Sequence, residues 1–154
     1  MKKTIGVLLI CLASIAALAA NRTEFSGTWV FNPEKSKNIG MMSEVKMTQT
    51  IEQASTSLDV TADTIFQGSN RQLKTHYDLT GKPASNDSPM AGPSETVSNW
   101  DGEKVVTTWT SKGAVAGSKT VRTETRSLSS DGKTMTVESV RGSNPAVVLV
   151  FDKK

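Results

Sequence analysis

The 154-residue chain is poor in the side chains that most often carry covalent or metal chemistry: it has one cysteine, one histidine and one tyrosine, and aromatic residues make up only 5%. The lone Cys11 has no partner for an intrachain disulfide. A histidine-rich metal centre needs more than His76, and Asp59 and Asp63, four apart on one predicted strand, lie too far from each other to share an ion unaided. No Gly-rich loop opens a helix, so neither a phosphate-cradling site nor a cofactor is expected. Charge of one sign is also missing. The formal net charge of +3 falls to +1 if Lys2 and Lys3 are removed with the leader described next, too little for the electrostatic footprint of a nucleic-acid binder.

Long apolar runs are confined to the first twenty residues. Met1-Lys2-Lys3 is a short positive start, Thr4 to Ile15 is an apolar stretch, and Ala17-Leu18-Ala19 is a small-x-small cleavage signal. The pattern predicts a secretory signal peptide over 1–20 and a single domain over 21–154, with a periplasmic or secreted address of Gram-negative style. A membrane-spanning helix would need roughly 20 apolar residues, and this stretch ends earlier, in alanines before Asn21-Arg22-Thr23. Lipid anchoring on Cys11 is disfavoured, because branched Ile10 stands where a small residue is needed and apolar residues continue past the cysteine. The mature protein would then contain no cysteine and no integral membrane segment.

What remains is rich in Thr and Ser and alternates with period two about nine times, with no helical stretch of period 3.6. The first strand is expected over Phe25 to Asn32. Val45, Met47, Gln49 and Ile51 alternate with Lys46, Thr48, Thr50 and Glu52, and Leu58, Val60 and Ala62 with Asp59, Thr61 and Asp63. Gln67-Gly68-Ser69-Asn70 turns into Leu73, Thr75, Tyr77 and Leu79. Gly81 to Ser94, made mostly of Gly, Pro, Ser, Asn and Asp, is expected as a long exposed loop, serving as a linker or as a lid or partner loop. Asp101-Gly102 between Glu95–Trp100 and Lys104–Thr110 is a two-residue hairpin signal. Thr120 to Leu128, Thr134 to Arg141 and Ala146 to Phe151 complete the series.

The class is therefore all-β: an antiparallel up-and-down meander of about 8–10 strands, which hides its edges by closing into a barrel. A Greek-key sandwich is the alternative. An outer-membrane barrel is disfavoured, since Thr120 to Ser127 carries Thr, Ser or charge on both faces.

Phe25-Ser26-Gly27-Thr28-Trp29-Val30-Phe31 resembles the Gly-x-Trp opening of the calycin superfamily of lipocalins and fatty-acid-binding proteins. The resemblance implies that Gly27 permits a close backbone approach and that Trp29 plugs the closed end of the barrel. It also implies a basic residue near the last strand packed across that Trp, with Arg126, Arg141 and Lys153 as candidates. Asn99-Trp100-Asp101-Gly102-Glu103-Lys104 looks like the Trp-Asp-Gly-Lys hairpin of fatty-acid-binding proteins with one residue inserted. Most of the mature chain is similar to small exported lipocalin-like bacterial proteins, through Gly27-Thr28-Trp29 with Asn32, Ser36 and Lys37, and through Leu128-Ser129-Ser130-Asp131-Gly132-Lys133-Thr134. Two departures bear on function. The final strand lacks the Arg-x-Tyr pair with which fatty-acid-binding proteins hold a carboxylate, and Pro33 to Glu44 is too short for their two-helix lid.

His76 and Asp78 share a strand face and could form a base and its orienter, but Lys74 and Thr80 complete that face and no nucleophile joins them, so it reads as a solvated outer surface. Lys119, Arg122, Arg126 and Arg141 read in the same way, as charges on late strand faces. The expected inward set is Trp29, Met47, Ile51, Leu58, Val60, Leu73, Tyr77, Trp109, Val137 and Leu149, mixed with Thr75 and Thr107. Of these, Trp29, Met47, Ile51, Tyr77, Trp109, Val137 and Leu149 are the candidate contacts of a small hydrophobic or amphipathic ligand in the barrel. Two functions follow: a non-enzymatic, exported ligand-binding barrel, or a packed barrel that acts on protein partners through its surface loops. A hydrolase or isomerase built on His76 is a distant third.

Overall fold

The period-two segments form ten strands in the computed structural model, which describes residues 22–89 and 91–154. They are β1 Gly27–Phe31, β2 Lys46–Gln53, β3 Ser57–Phe66, β4 Ser69–Asp78 and β5 Pro83–Ser88, then β6 Gly92–Asp101, β7 Lys104–Lys112, β8 Lys119–Leu128, β9 Thr134–Val140 and β10 Val147–Lys153. The expected leader with Cys11, and Met90, lie outside the described residues.

All pairings are antiparallel, and the order β4-β3-β2-β1-β10-β9-β8-β7-β6-β5 is a meander whose first and last strands meet. Pairing of β1 with β10 closes the sheet into a barrel, with Trp29 opposite Lys153 and Phe31 opposite Phe151. The one interruption falls between β4 and β5, the two ends of that order. There Asn86 replaces a backbone ladder: its Oδ1 accepts from the His76 N–H at 2.9 Å and its Nδ2 donates to the His76 carbonyl at 2.8 Å. Pairing of β1 with β10 thus leaves β4 and β5 as the two edges of the sheet, facing each other across the Asn86 seam.

One end of the barrel is sealed. Trp29, Phe25, Leu58, Met135 and Phe151 are completely buried there. The Trp29 indole N–H donates to the Phe25 carbonyl at 2.8 Å, so the plug keeps its polar atom satisfied. Lys153, of the three basic candidates, lies over the Trp29 ring, with Nζ 5.2 Å from the centroid. Gly27 makes this possible: its φ is +127°, and a Cβ there would stand 3.3 Å from Lys153 Cε.

Both exported-protein motifs have local, structural explanations. Asn32 caps a short 3-10 turn, Pro33–Lys35, and donates to Asp152 at 2.7 Å. Ser36 Oγ accepts from Val150 N–H at 2.9 Å, and Lys37 bridges to Val148, so the segment continues the β1–β10 closure beyond the end of β1. A second 3-10 turn, Gly40–Glu44, follows, and no α-helical lid forms between β1 and β2. In the late hairpin Asp131 accepts from Ser129 Oγ at 2.6 Å and from Lys133 N–H at 3.0 Å.

Three expectations are corrected. Gly81 to Ser94 is not an exposed loop: it contains β5 and the start of β6, and Asn86, Ser88 and Ser94 are buried. Its inward positions are small and polar, so no apolar alternation marks it. The Gln67-Gly68 turn is tighter than expected, with φ of 47° and 79° at the two residues, and Ser69 and Asn70 already belong to β4. Finally, β8 is not wet on both faces, because Glu124 and Arg126 are buried.

If Trp29 is the plug, Trp29→Ala costs about 3–5 kcal/mol. Urea unfolding should show this as a lowered midpoint at an unchanged slope, and a near-neutral shift would remove the plug assignment.

Candidate functional site

Alternation directs one face of every strand into the lumen, and in this barrel the lumen has two chemistries. Strands β9, β10, β1, β2 and β3 contribute Val137, Phe151, Phe31, Ile51, Val60 and their neighbours. Strands β5 to β7, on the other side of the ring, contribute Asn86, Ser94, Thr96, Ser98, Thr107 and Ser111, all buried. These polar side chains satisfy one another: Ser94 with Ser111 at 2.6 Å, Ser98 with Thr107 at 2.9 Å, and Asn86 Nδ2 to Thr96 at 2.7 Å. Cross-strand hydroxyl pairs of this kind hold neighbouring strands in register without leaving buried groups unpaired.

A charged cluster spans the lumen between these two walls. Tyr77, from β4, donates its hydroxyl to Glu124 Oε1 at 3.1 Å, across the barrel on β8. Arg122 Nη1 donates to Glu124 Oε2 at 3.2 Å and to Ser139 Oγ at 3.2 Å. Arg126 Nη2 stands 3.6 Å from Glu124 Oε1, while its Nη1 donates to Gln49 Oε1 at 3.1 Å and lies 3.2 Å from Met135 Sδ. Glu124 is 7% exposed and Arg126 3%. Burial first, and Glu124 beside it, push the Tyr77 hydroxyl well above the usual phenol range, so it stays a donor.

Aromatic rings frame the cluster. Trp109 meets Tyr77 edge-on at 6.1 Å, Arg122 lies over the Trp109 ring at 4.6 Å, and Arg126 over the Tyr77 ring at 5.6 Å. Trp109 itself is 3% exposed, and its indole N–H has no partner. Two guanidiniums against one carboxylate leave the cluster with an excess of positive charge and of donors. Trp100 Nε1, near the sealed end, is likewise buried and unpaired, but its neighbours are the Phe25 ring, stacked at 6.1 Å, and Arg22.

All seven candidate ligand contacts face inward. Trp29, Ile51, Tyr77, Trp109 and Val137 are buried, and Met47 and Leu149 are partly buried against the core. They do not converge on one spot. Trp29 belongs to the sealed end, while Tyr77 and Trp109 join the charged cluster. Sequence reading placed Arg122 and Arg126 on solvated strand faces and passed over Glu124, because a strand alternating charges with threonines gives no sign of which face is inside. Lys119 and Arg141 do not join those arginines in a surface patch: Lys119 is exposed, and Arg141 donates to Thr120 at 3.3 Å. His76 lies outside, with Nδ1 2.7 Å from Asp59 across the β3–β4 pair. Asp78 does not orient it; Asp78 accepts instead from the Thr80 hydroxyl and N–H, which hold its carboxyl below the usual range.

A cleft of about 620 Å³ opens at the unsealed rim and is lined by Asn86, Ser94 and Ser111 of the hydroxylic wall and by rim residues such as Lys74, Lys112 and Lys119. Ser111 is the next inward position on β7 after Trp109, but neither Trp109 nor any of the seven candidate contacts lines the cleft. A second cleft of about 420 Å³, bounded by Asp63, Ile65 and Arg71, lies on the β3–β4 hairpin away from the cluster. Among the described residues, no group of three or more His, Cys, Asp and Glu is placed to hold a metal ion.

Solved structures share this barrel fold. A fatty acid transporter, REP1-NXSQ, superposes with a TM-score of 0.66 at 14% identity, covering 84% of this chain and 95% of its own. Caenorhabditis elegans lipid binding protein 8 superposes with a TM-score of 0.65 at 13% identity, covering 84% and 95%. Human cRBP IV gives 0.64 at 17% identity, covering 86% and 99%. At these identities the likeness is one of fold: this chain has an antiparallel barrel like theirs. No protein-family model matches it, and no curated protein matches its sequence.

Arg126→Ala would leave a cavity beside Glu124 and the buried Gln49 Oε1 without its donor, and should cost roughly 3 kcal/mol or more. Lys35→Ala, which breaks the exposed 2.8 Å pair with Asp152, should cost no more than about 1 kcal/mol. Denaturant unfolding of the two variants compares them directly, and equal losses would show that the cluster is not the buried network described.

Proposed function

We propose that the protein is an exported, non-enzymatic binding barrel for a small amphipathic molecule, which enters at the unsealed rim and sets a polar acceptor group against Trp109 and Arg122. The observation that carries this reading is the Trp109 indole N–H: a buried donor without an acceptor, beside a guanidinium, on a strand whose next inward residue, Ser111, lines the rim cleft. A buried donor left unpaired is costly, so a site that leaves one open gains by admitting an acceptor. The apolar wall from β9 to β3 suits the other face of such a molecule. Lipid-binding neighbours of the same fold support a ligand of this general kind. Export rests on the sequence pattern of residues 1–20.

A second reading, a packed barrel that acts on protein partners through its surface, is favoured by the deep burial of the inner wall: Thr96, Ser98 and Thr107 are each 1% exposed.

One titration separates the two. Protein unfolded, stripped and refolded is mixed with 1-anilinonaphthalene-8-sulfonate, an amphipathic anion, while tryptophan emission is followed. The ligand reading expects saturable quenching that weakens about tenfold in Arg122→Ala, the loss of one charge-assisted contact. No binding, together with native purification yielding no released small molecule, would leave the packed barrel. For export, the intact mass of periplasmic protein should begin after Ala19 or Ala20, and an uncleaved chain would refute it.

A further inference from the structure

Glu124 is the one acidic side chain in the charged cluster, and its surroundings are those a free carboxylic acid would seek. Its two oxygens are met by the Tyr77 hydroxyl at 3.1 Å and by Arg122 at 3.2 Å, with Arg126 at 3.6 Å. Two guanidiniums and a phenol converging in a buried lumen make a strong carboxylate seat, because charge-assisted bonds gain strength where water is excluded. The chain fills that seat with its own side chain.

Packing does not require this. Buried ionic groups can often be exchanged for apolar ones without loss of stability, and the barrel fills its opposite wall with Phe, Ile and Val. What Glu124 does impose is a charge condition. With it in place, the two guanidiniums are half neutralised, and the free donors are Trp109 Nε1 and the unused N–H groups of Arg122.

Resting on the ligand reading above, we propose that Glu124 is a specificity-determining residue: a resident carboxylate that occupies the two-arginine seat and so excludes simple alkyl carboxylates from it. The ligand class selected is an amphipathic molecule whose polar group is an acceptor for Trp109 and Arg122 rather than a lone fatty-acid head. Without Glu124 the same barrel becomes a carboxylate binder.

The test uses dodecanoate and its uncharged counterpart dodecanol, titrated against the whole mature protein and against Glu124→Gln, a near-isosteric change, by displacement of 1-anilinonaphthalene-8-sulfonate. The wild type should bind the two within a few fold of each other. Glu124→Gln should bind dodecanoate about tenfold or more tighter than the wild type does, with dodecanol unchanged, since only the acid answers the guanidinium charge that the neutral Gln no longer offsets, and Glu124→Ala, which also vacates the space, should gain at least as much. Thermal melting supplies the second readout: dodecanoate, not dodecanol, should restore melting temperature lost in Glu124→Gln and in Glu124→Ala, including the recovery of a cooperative melt if either variant fails to fold alone. A wild type that already prefers dodecanoate, with no gain on substitution and no rescue, overturns the proposal and leaves the ligand reading standing. If neither protein binds the fluorophore or either dodecyl compound, the ligand reading fails and the proposal with it.

Discussion

Pairing of β1 with β10 is the constraint on which the rest of the structure depends. Without it β1–β4 and β5–β10 are two separate open sheets, because β4 and β5 share no backbone ladder; with it the ten strands form one sheet that curls around a lumen. The closure is short, with Trp29, Val30 and Phe31 opposite Lys153, Asp152 and Phe151. It is lengthened by side chains: Asn32 and Lys35 grip Asp152, and Ser36 continues the pairing to Val150. Lys35 first, then Asn32, hold the Asp152 carboxyl below its usual range, so the grip is an ionised one. The same pairing brings Lys153 over Trp29 and so couples closure to the apolar plug.

Closure at one side leaves a seam at another. β4 and β5 form no backbone ladder, and the amide of Asn86 bridges the seam instead. An amide can do this because it carries a donor and an acceptor in one plane, as a peptide group does. The β5–β7 wall beside it is built from Ser, Thr and Asn in mutually bonded pairs. That wall is why the lumen is amphipathic: hydroxyls pack into the barrel only when each finds a partner, and once paired they keep acceptor capacity toward the interior.

How much of this was legible in the sequence depends on what each strand turns inward. Where the inward face is apolar, as with Ile51, Leu58, Val60 and Val137, alternation gave both the strand and its inner side. The hairpin at Asp101-Gly102 and the Gly27-x-Trp29 opening were legible because turn geometry and close approach demand glycine there, although the two-residue loop is Gly102-Glu103, with Asp101 paired to Lys104 at the end of β6. The β5 segment was lost because Ala84, Asn86 and Ser88 look like loop. The inner face of β8 was lost for a deeper reason. Arg122, Glu124 and Arg126 alternate with Thr123 and Thr125, and hydropathy assigns charge to the outside. Only the closed ring shows that these charges meet Tyr77 from across the barrel.

Fold and chemistry then diverge in an instructive way. The resemblance to fatty-acid-binding proteins implied an Arg-x-Tyr pair on the last strand, which β10 lacks, and that absence argued against a polar anchor in the lumen. The lumen nevertheless has two arginines and a tyrosine, supplied by β8 and β4, together with a carboxylate of its own. A barrel's inward positions on facing strands are interchangeable as sources of a central group, because each reaches the same axis. Loss of a motif from one strand therefore does not empty the centre of its chemistry. What distinguishes this barrel is that the anchor comes already satisfied, while the adjacent Trp109 does not, and a specific interior is defined as much by the groups it has neutralised as by the one it leaves open.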